Sequence, residues 1–472
     1  MPQRDQSIAV VGAGIVGVCA AYHLQQAGYR VTLIDRDGVA AGASHGNAGC
    51  INPSSIIPVA MPGVLKKMPG WLMDPDGPLV LRPRYLPTML PWLMRFLAAS
   101  DATRVAAQVK TLRTLAGSAL RESTALADAV GAGHLLRSVG HLTAYSTQAA
   151  YDGDSGSMQR RAAEGIVVED VDRDALRARE PHLADTFLRA RYIGETGHVI
   201  DPAAYAKHIA DHVRAHGGTI LRANVTGIAT RDGRAIGVQT DTGLIATDAD
   251  AIVVAAGAWS GALARGVGDK VLLDTERGYH IEIPHTLALP DSLAAVGPRI
   301  PTLWAEAKIF ATPMAGRVRA AGTVELAGMS APANWRRTDL LARQLARMYP
   351  ALAPAIATID TWQDSHRDGA PPGTASVGMA SGHADARAAA STSAANAVAS
   401  ETPRRWLGFR PSTPDSLPVI DRSPRVSNLI YAFGHGHIGL TCAPATGRLV
   451  AALITGETPT IDLRPFAITR FQ

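Results

Sequence analysis

Cysteine is scarce in this chain. Cys19, Cys50 and Cys442 are the only three in 472 residues, with no C-x-x-C and no interleaved Cys/His spacing. That pattern excludes a disulfide scaffold and a structural zinc module, and no metal site is expected. The thiols are expected to be reduced, in a cytoplasm-facing protein. Aromatic residues are also few, at 5%. The 46 Lys and Arg against 41 Asp and Glu leave a formal charge of only +5, scattered mostly as single Arg. Without a basic block, a reading helix or aromatic platforms, nucleic-acid recognition is not expected, even at a pI near 9.2. No run reaches the roughly 18 apolar residues that span a bilayer. The first residues lead from Met1 to Ser7 and into an apolar run without a signal-peptide pattern, so export is not expected.

What remains is globular. The chain is 47% hydrophobic and 18% charged, with a mean hydropathy of +0.05, enough apolar material for a sizeable core. At about 150 residues per domain the length predicts two to three domains, or one large α/β fold with an inserted partner. The 45 Gly and 30 Pro follow no collagen-like period, and they suit tight turns and close backbone approaches.

The clearest signal is at the start. The apolar run Ser7 to Val11 leads into Gly12-Ala13-Gly14-Ile15-Val16-Gly17, then a helical pattern through Ala20, Ala21, Leu24 and Ala27. Gly28 closes that helix, and Arg30 to Ile34 is a second strand ending at Asp35 and Arg36. Strand, G-x-G-x-x-G, helix and strand form a dinucleotide-binding unit of about 30 residues. Gly12 makes the turn, Gly14 admits a pyrophosphate to the backbone, and Gly17 lets helix and strand approach. The helix start offers free N–H groups to phosphates, lined by Gly14, Ile15, Val16 and Gly17. Asp35 lies 18 residues beyond Gly17, where a carboxylate accepts from ribose hydroxyls.

NAD and FAD share this unit. A second match, Gly434 to Gly439, follows the apolar strand Leu429 to Phe433, but its helix runs into the tail near Pro459 instead of a further strand. It reads as a glycine turn folding back on the cofactor. Without a second nicotinamide unit, electrons come from an organic substrate, which favours FAD and disfavours an NAD-dependent dehydrogenase.

Between these ends the pattern predicts a helix over Asp201 to His216, then a meander through 219–240, then a buried strand from Ala251 to Ala255 closed by Gly257. Short runs at 271–273, 278–283, 309–313 and 318–324 predict a largely antiparallel second layer crossed by a helix from Thr338 to Met348. Residues 365–404 are rich in Ala, Ser, Gly and Thr and read as a low-complexity insertion. The stretch 81–97 crowds Leu, Met, Trp and Phe between Arg82, Arg84 and Arg95. Two readings stay open for it: burial in the second domain, or peripheral contact with the inner face of the cell membrane.

Several ordered motifs together resemble a known family. VVGAGIVGVCAAYHLQQAGYRVTLIDRD, GASHGNAGCINP, RGYHIEIP, WLGFRPSTPDSLPVID and GHGHIGLTCAPATG are similar to the FAD-dependent D-amino-acid dehydrogenase and glycine oxidase group. RGYHI and AGTVELAG are also similar to D-hydroxyproline-oxidising members. The resemblance implies an α/β protein with a Rossmann-like, glutathione-reductase-type FAD-binding domain and a mixed, largely antiparallel substrate domain. The former is expected from 1–60, 165–262 and 405–472, the latter from 61–164 and 263–364. It further implies that Ser44, Gly46, Asn47, Ala48 and Gly49 line the flavin and its pyrophosphate. By the same resemblance Val225 touches the adenine, Gly257 lies near the cofactor, and Gly434, His435, Gly436, Gly439 and Thr441 present N–H groups to the flavin pyrimidine. The flavin is expected to be noncovalent, because 408–411 has no Cys and Gly46 stands where a tethering His would fall, with His45 offset by one.

Arg410 matches the arginine that clamps the substrate carboxylate, a task suited to a guanidinium fork. Tyr279 is the next candidate, on the carboxylate or the amine, with a core tyrosine as the competing reading. His437, Glu325 and His280 are weaker substrate-binding candidates, the first two for amine contact or polarity control, and His280 is taken to alternate outward on its strand. The implied reaction is hydride transfer from Cα of a D-amino acid, or of a cyclic imino acid such as D-proline or hydroxyproline, to flavin N5. The imine hydrolyses to a 2-oxo acid and ammonia, and the electrons pass to a quinone or other carrier. An O2-using glycine or sarcosine oxidase and a noncatalytic flavin-binding assembly factor are the alternatives.

Overall fold

The computed structural model of the chain describes residues 5–63, 74, 77–285, 296–359, 362–364 and 402–472. Two sheets organise it. In the first, Thr219–Arg222, Arg30–Asp35, Ser7–Val11, Ala251–Val254 and Leu429–Phe433 run parallel in that spatial order, closed by antiparallel Val419–Arg422. Ala251–Val254 and Leu429–Phe433 are buried at every position, as expected of parallel strands covered on both faces. This is the doubly wound arrangement expected from the first 35 residues, assembled from strands more than 400 residues apart in the sequence.

The first helix, Ile15–Gln26, buries Ile15, Gly17, Val18, Cys19, Ala20, Ala21 and Leu24. Small residues allow that density. A Cβ on Gly17 would overlap the Gly12 carbonyl oxygen, and one on Gly447 of the last helix, Gly439–Thr455, would lie 2.6 Å from the Cys19 backbone. The helix Pro202–Ala215 covers the same core, capped by the Asp201 carboxylate on the Ala204 N–H at 2.9 Å.

The second sheet is mixed and mostly antiparallel. Its longest strand, Asp274–Pro284, runs between Arg317–Leu326 and Arg404–Ser412. Arg336–Met348 packs behind it, burying Leu340, Leu341, Leu345 and Met348. At the level of strand pairing, Glu169–Val171, Arg189–Ile193 and nearly all of Arg404–Ser412 fall in segments expected to belong to the FAD-binding domain, and all three strands pair into the second sheet. Arg404–Ser412 does so over its whole length, from Glu282↔Arg404 to Asp274↔Ser412, where it satisfies a full ladder of backbone groups. The expected run at 271–273 is not a strand, which begins only at Asp274. Residues 225–245 form an antiparallel meander, whereas Thr219–Arg222, expected to open it, is a parallel edge strand of the first sheet.

The stretch 81–97 is mainly the helix Leu86–Ala99. Its inner face buries Met89, Trp92, Phe96 and Ala99, and the Trp92 indole N–H donates to the Ser412 carbonyl at 3.1 Å. Leu86, Leu90 and Met94 recur every four residues on the outer face and are 38%, 50% and 60% exposed. Among the described residues no helix is long and apolar enough to cross a membrane. The proposed insertion lies outside the described residues for 365–401.

Gly447→Val forces a branched side chain into the contact with Cys19. The expected outcome is a loss of about 1–3 kcal/mol, read as a lower urea midpoint, whereas an unchanged midpoint would show that the two helices can separate at no cost.

Candidate functional site

The cofactor cradle begins where the first strand turns into the first helix. Gly12 adopts φ +105°, and a Cβ there would lie 2.7 Å from the Ala255 carbonyl carbon. The helix start has no acidic residue and no side-chain cap from its own N-cap, Gly14. Ser44 supplies one acceptor from outside, its Oγ taking the Ile15 N–H at 2.8 Å. Asp35 stands at the end of its strand. Its Oδ2 accepts from Ala13 N at 2.8 Å, and its Oδ1 from Asp37 and Gly38 N at 2.9 Å each. A carboxylate oxygen with one such partner keeps a lone pair for a hydroxyl. Ala223 N donates to the Asp35 carbonyl at 3.0 Å, so Val225 follows close behind, and the Arg36 guanidinium lies 4.6 Å over the Trp259 ring beside Gly257.

The loop 44–50 is held by its own polar groups. Asn47 accepts from Gly49 N at 2.8 Å and donates to Ser44 O at 3.0 Å. Two features require glycine at 49: its φ of +75°, and the Val199 carbonyl oxygen, which would lie 2.6 Å from a Cβ. Alternation along Asp274–Pro284 turns Glu276, Gly278, His280 and Glu282 toward this loop, beside Trp406, Gly408 and Arg410 of the paired strand. His280 Nδ1 donates to the Gly46 carbonyl at 2.8 Å, and its ring stacks on Trp406 at 5.0 Å. Trp406 in turn occupies the space a side chain at Gly46 would need. Arg319 pairs with Glu282 at 3.0 Å through Nε and also donates to the Asn47 carbonyl. Burial alone would raise the Glu282 carboxyl, but Arg319, His280 and Arg317 outweigh it and hold it at about 2.

Arg410 sits over Gly278, where any side chain would collide with the guanidinium, and donates to the Thr323 carbonyl at 3.3 Å. Burial lowers its pKa and Glu276 opposes that shift. The strand's end is stitched to the glycine turn: Gly436 N donates to Pro411 O at 2.7 Å, and Ser412 bridges His435. Gly434 and Gly436 take φ of +83° and +53°, and space is open where a Gly436 side chain would stand. A narrow pocket runs between Glu276, Ser412 and the turn Gly434 to Ile438, with Ile57 and Val59 opposite. His437 is at its mouth, within the electrostatic reach of Glu276 and Arg410. Thr441 ties the last helix to the loop, accepting from Asn52 N at 3.1 Å.

Tyr279 and Glu325 go elsewhere. They lie on the opposite face of the sheet, where the Tyr279 hydroxyl donates to Glu325 at 2.5 Å and accepts from Asn334 N at 2.9 Å. Glu325 is further paired with Arg82 at 2.7 Å and Arg277 at 3.3 Å. Their polar groups are spent inside the core behind the sheet. His280, expected to point outward, is 1% exposed because its strand is covered by the loop on that face. The His435 ring turns inward to Thr446 at 2.9 Å, which leaves its backbone to the turn. Glu276, Trp406, Arg319 and Glu282 were not singled out from the sequence. Pairing the alternation of RGYHIEIP against WLGFRP would have found the first two, but the register that pairs them is a tertiary fact.

These residues fit FAD. The helix starts at 15 and 439, which their own N-cap residues leave uncapped, the open positions at Gly257 and Gly436, and the buried His280 Nε2, without a partner among the described residues, are all suited to a ligand with phosphates and polar ring edges.

Comparison with known proteins agrees. The family model described as DAO, FAD dependent oxidoreductase, matches residues 7–400 and 380–453. The chain is 37% identical over 474 residues to a D-amino-acid oxidase of Bradyrhizobium diazoefficiens, covering 100% of both. It is 28% identical to D-amino acid dehydrogenase 1 of Mesorhizobium japonicum, covering 98% of this chain and 99% of that one. In structure it resembles glycine oxidase from Geobacillus kaustophilus, with a TM-score of 0.67 at 20% identity over 98% of this chain and 99% of that one.

Burial holds His280 and His435 near 3, below the ordinary histidine value. The folded chain therefore binds fewer protons than the unfolded chain below about pH 6.5. Their contribution is complete above that pH and is lost as the pH falls toward 3, at roughly 1.4 kcal/mol per pH unit for each ring. His280→Asn keeps a donor for Gly46 O without a titrating ring. Urea unfolding between pH 7 and 4.5 is expected to show a shallower loss for H280N than for the unsubstituted chain, and equal slopes would mean that His280 titrates normally in the fold.

Proposed function

The chain belongs to the DAO family of FAD-dependent oxidoreductases, and on that premise we propose that it oxidises D-amino acids, cyclic imino acids such as D-proline among them. The observation that carries this reading is the place of Arg410: a half-buried guanidinium on the sheet face turned toward the 44–50 loop, beside the 434–438 turn. A substrate carboxylate there gains two charge-assisted hydrogen bonds in a fixed plane. That anchors Cα between the sheet and the cofactor loop. Bound FAD supplies the two-electron acceptor for the Cα hydride.

The chain's own residues position and shield. Trp406, stacked on His280, fills the space between the sheet and Gly46 of the loop, and the N–H groups of the 434–438 turn together with the last helix's start favour negative charge on the cofactor side. The imine product hydrolyses in water to a 2-oxo acid and ammonia, whereas a cyclic imino acid yields a cyclic imine first. We assign the electrons to a quinone or other carrier. The exposed row Leu86, Leu90 and Met94, with Arg84 and Arg95 nearby, supports peripheral contact with a membrane that holds one. The 37% identical relative bears the name of an oxidase, which favours O2 as the second reading. Peroxide formed in air at the rate of substrate loss would establish the second reading over the first.

The test is anaerobic mixing of the yellow protein with a panel of D- and L-amino and imino acids. D-enantiomers are expected to bleach the flavin, and a flavin that stays oxidised throughout would end this reading. Arg410→Ala is expected to raise the half-saturating substrate concentration about tenfold or more, the worth of a charged hydrogen bond, with flavin content unchanged. Unchanged turnover at low substrate would remove Arg410 from the carboxylate role.

A further inference from the structure

Beside Arg410 the sheet carries a buried charge of opposite sign that the reaction as described leaves unused. Glu276 is the direct cross-strand partner of Arg410 and points from the same face. Side chains so paired have Cβ atoms about 4.5–5.5 Å apart. Glu276 is only 7% exposed, yet it lines the pocket with Ser412 and the 434–438 turn. The two charges do not neutralise each other by direct contact. Arg410 donates to the Thr323 carbonyl at 3.3 Å, and Glu276 Oε1 accepts from the Ser412 hydroxyl at 2.7 Å; among the described residues no ion pair joins them. Ser412 is itself fixed to the glycine turn and, through its carbonyl, to Trp92. Glu276 is thus oriented at one oxygen and available at the other.

We propose that Glu276 receives the amino or imino nitrogen of the substrate, so that Arg410 and Glu276 together read the two ends of one zwitterion. This rests on the D-amino-acid reading and names how that site selects its ligand. The geometry suits an α-amino acid, whose carboxylate and nitrogen share a carbon and are therefore held as close together as two neighbouring side chains. A cation at the far end of a long side chain would not be needed to reach Glu276. A ligand with a carboxylate and no amine satisfies Arg410 but leaves Glu276 desolvated and unpaired, a costly state for a buried charge. Glu276 thereby selects amino and imino acids against 2-hydroxy acids and simple carboxylates of the same size.

Glu276→Gln is isosteric and retains an acceptor for Ser412. The holoenzyme and this variant are compared by steady-state turnover of D-alanine and D-proline and by calorimetric binding of propionate, which has no amine. The expected result is a KM raised about tenfold or more for both amino acids with a smaller change in kcat, while propionate binds as tightly as before or more tightly. Propionate binding weakened by the same factor would make Glu276 a support for Arg410 only and overturn the proposal. An unchanged KM would overturn it as well. If neither amino acid bleaches the flavin of the unsubstituted enzyme, the D-amino-acid reading falls and this assignment with it; bleaching with an unchanged variant KM removes the assignment alone.

Discussion

The site depends on a seam between a loop's backbone carbonyls and a sheet's side chains. The carbonyls of Gly46 and Asn47 point at the second sheet and are taken by His280 and Arg319. Trp406 fills the space left by the missing side chain at Gly46. A carbonyl accepts and does not donate, so the partner must bring a proton: His280 is held to the tautomer with Nδ1–H, and Arg319 is always a donor. The Glu282 carboxylate neutralises Arg319 from within the same sheet. Because Gly46, His280 and Arg319 are buried, loosening one contact would strand polar groups away from water. The distance between cofactor loop and substrate face is therefore set by the fold before any ligand arrives.

That seam explains the division of labour on the strand Asp274–Pro284. Its front face carries charge and small residues, with Gly278 giving the Arg410 guanidinium the room it occupies. Its back face carries Tyr279 and Arg277, which join Glu325 and Arg82 in a network that anchors the sheet to the segment before the Leu86–Ala99 helix. Two sets of polar residues of similar kind, one residue apart in the sequence, thus belong to different layers. One touches the pocket and the other holds the wall upright.

The cofactor unit was legible in the sequence because its information is local: turn glycines, helix and acid all fall between Ser7 and Asp35, and the backbone conformation of Gly12 follows from residue type. The Gly-rich turn near residue 434 and the crossing helix from 336 to 348 were legible for the same reason. The roles of Tyr279, Glu325 and His280 were not, because a strand's alternation tells which residues share a face and not which face meets the pocket. That choice is made by the pairing of Asp274–Pro284 with Arg404–Ser412, more than 120 residues away. The same pairing brought Glu276 beside Arg410, a neighbourhood visible in neither segment alone.

The tight crossing of the first helix with the last, where Gly447 meets Cys19, bears on how the protein is made. The phosphate-binding turn leaves the ribosome more than 400 residues before the strand Leu429–Phe433 and the helix Gly439–Thr455 that complete its sheet and cover its flank. The unit from Ser7 to Asp35 waits, partly unroofed, while those intervening residues are made. A chain that stops short of Leu429 lacks both of these elements, and with them part of the cover over the turn.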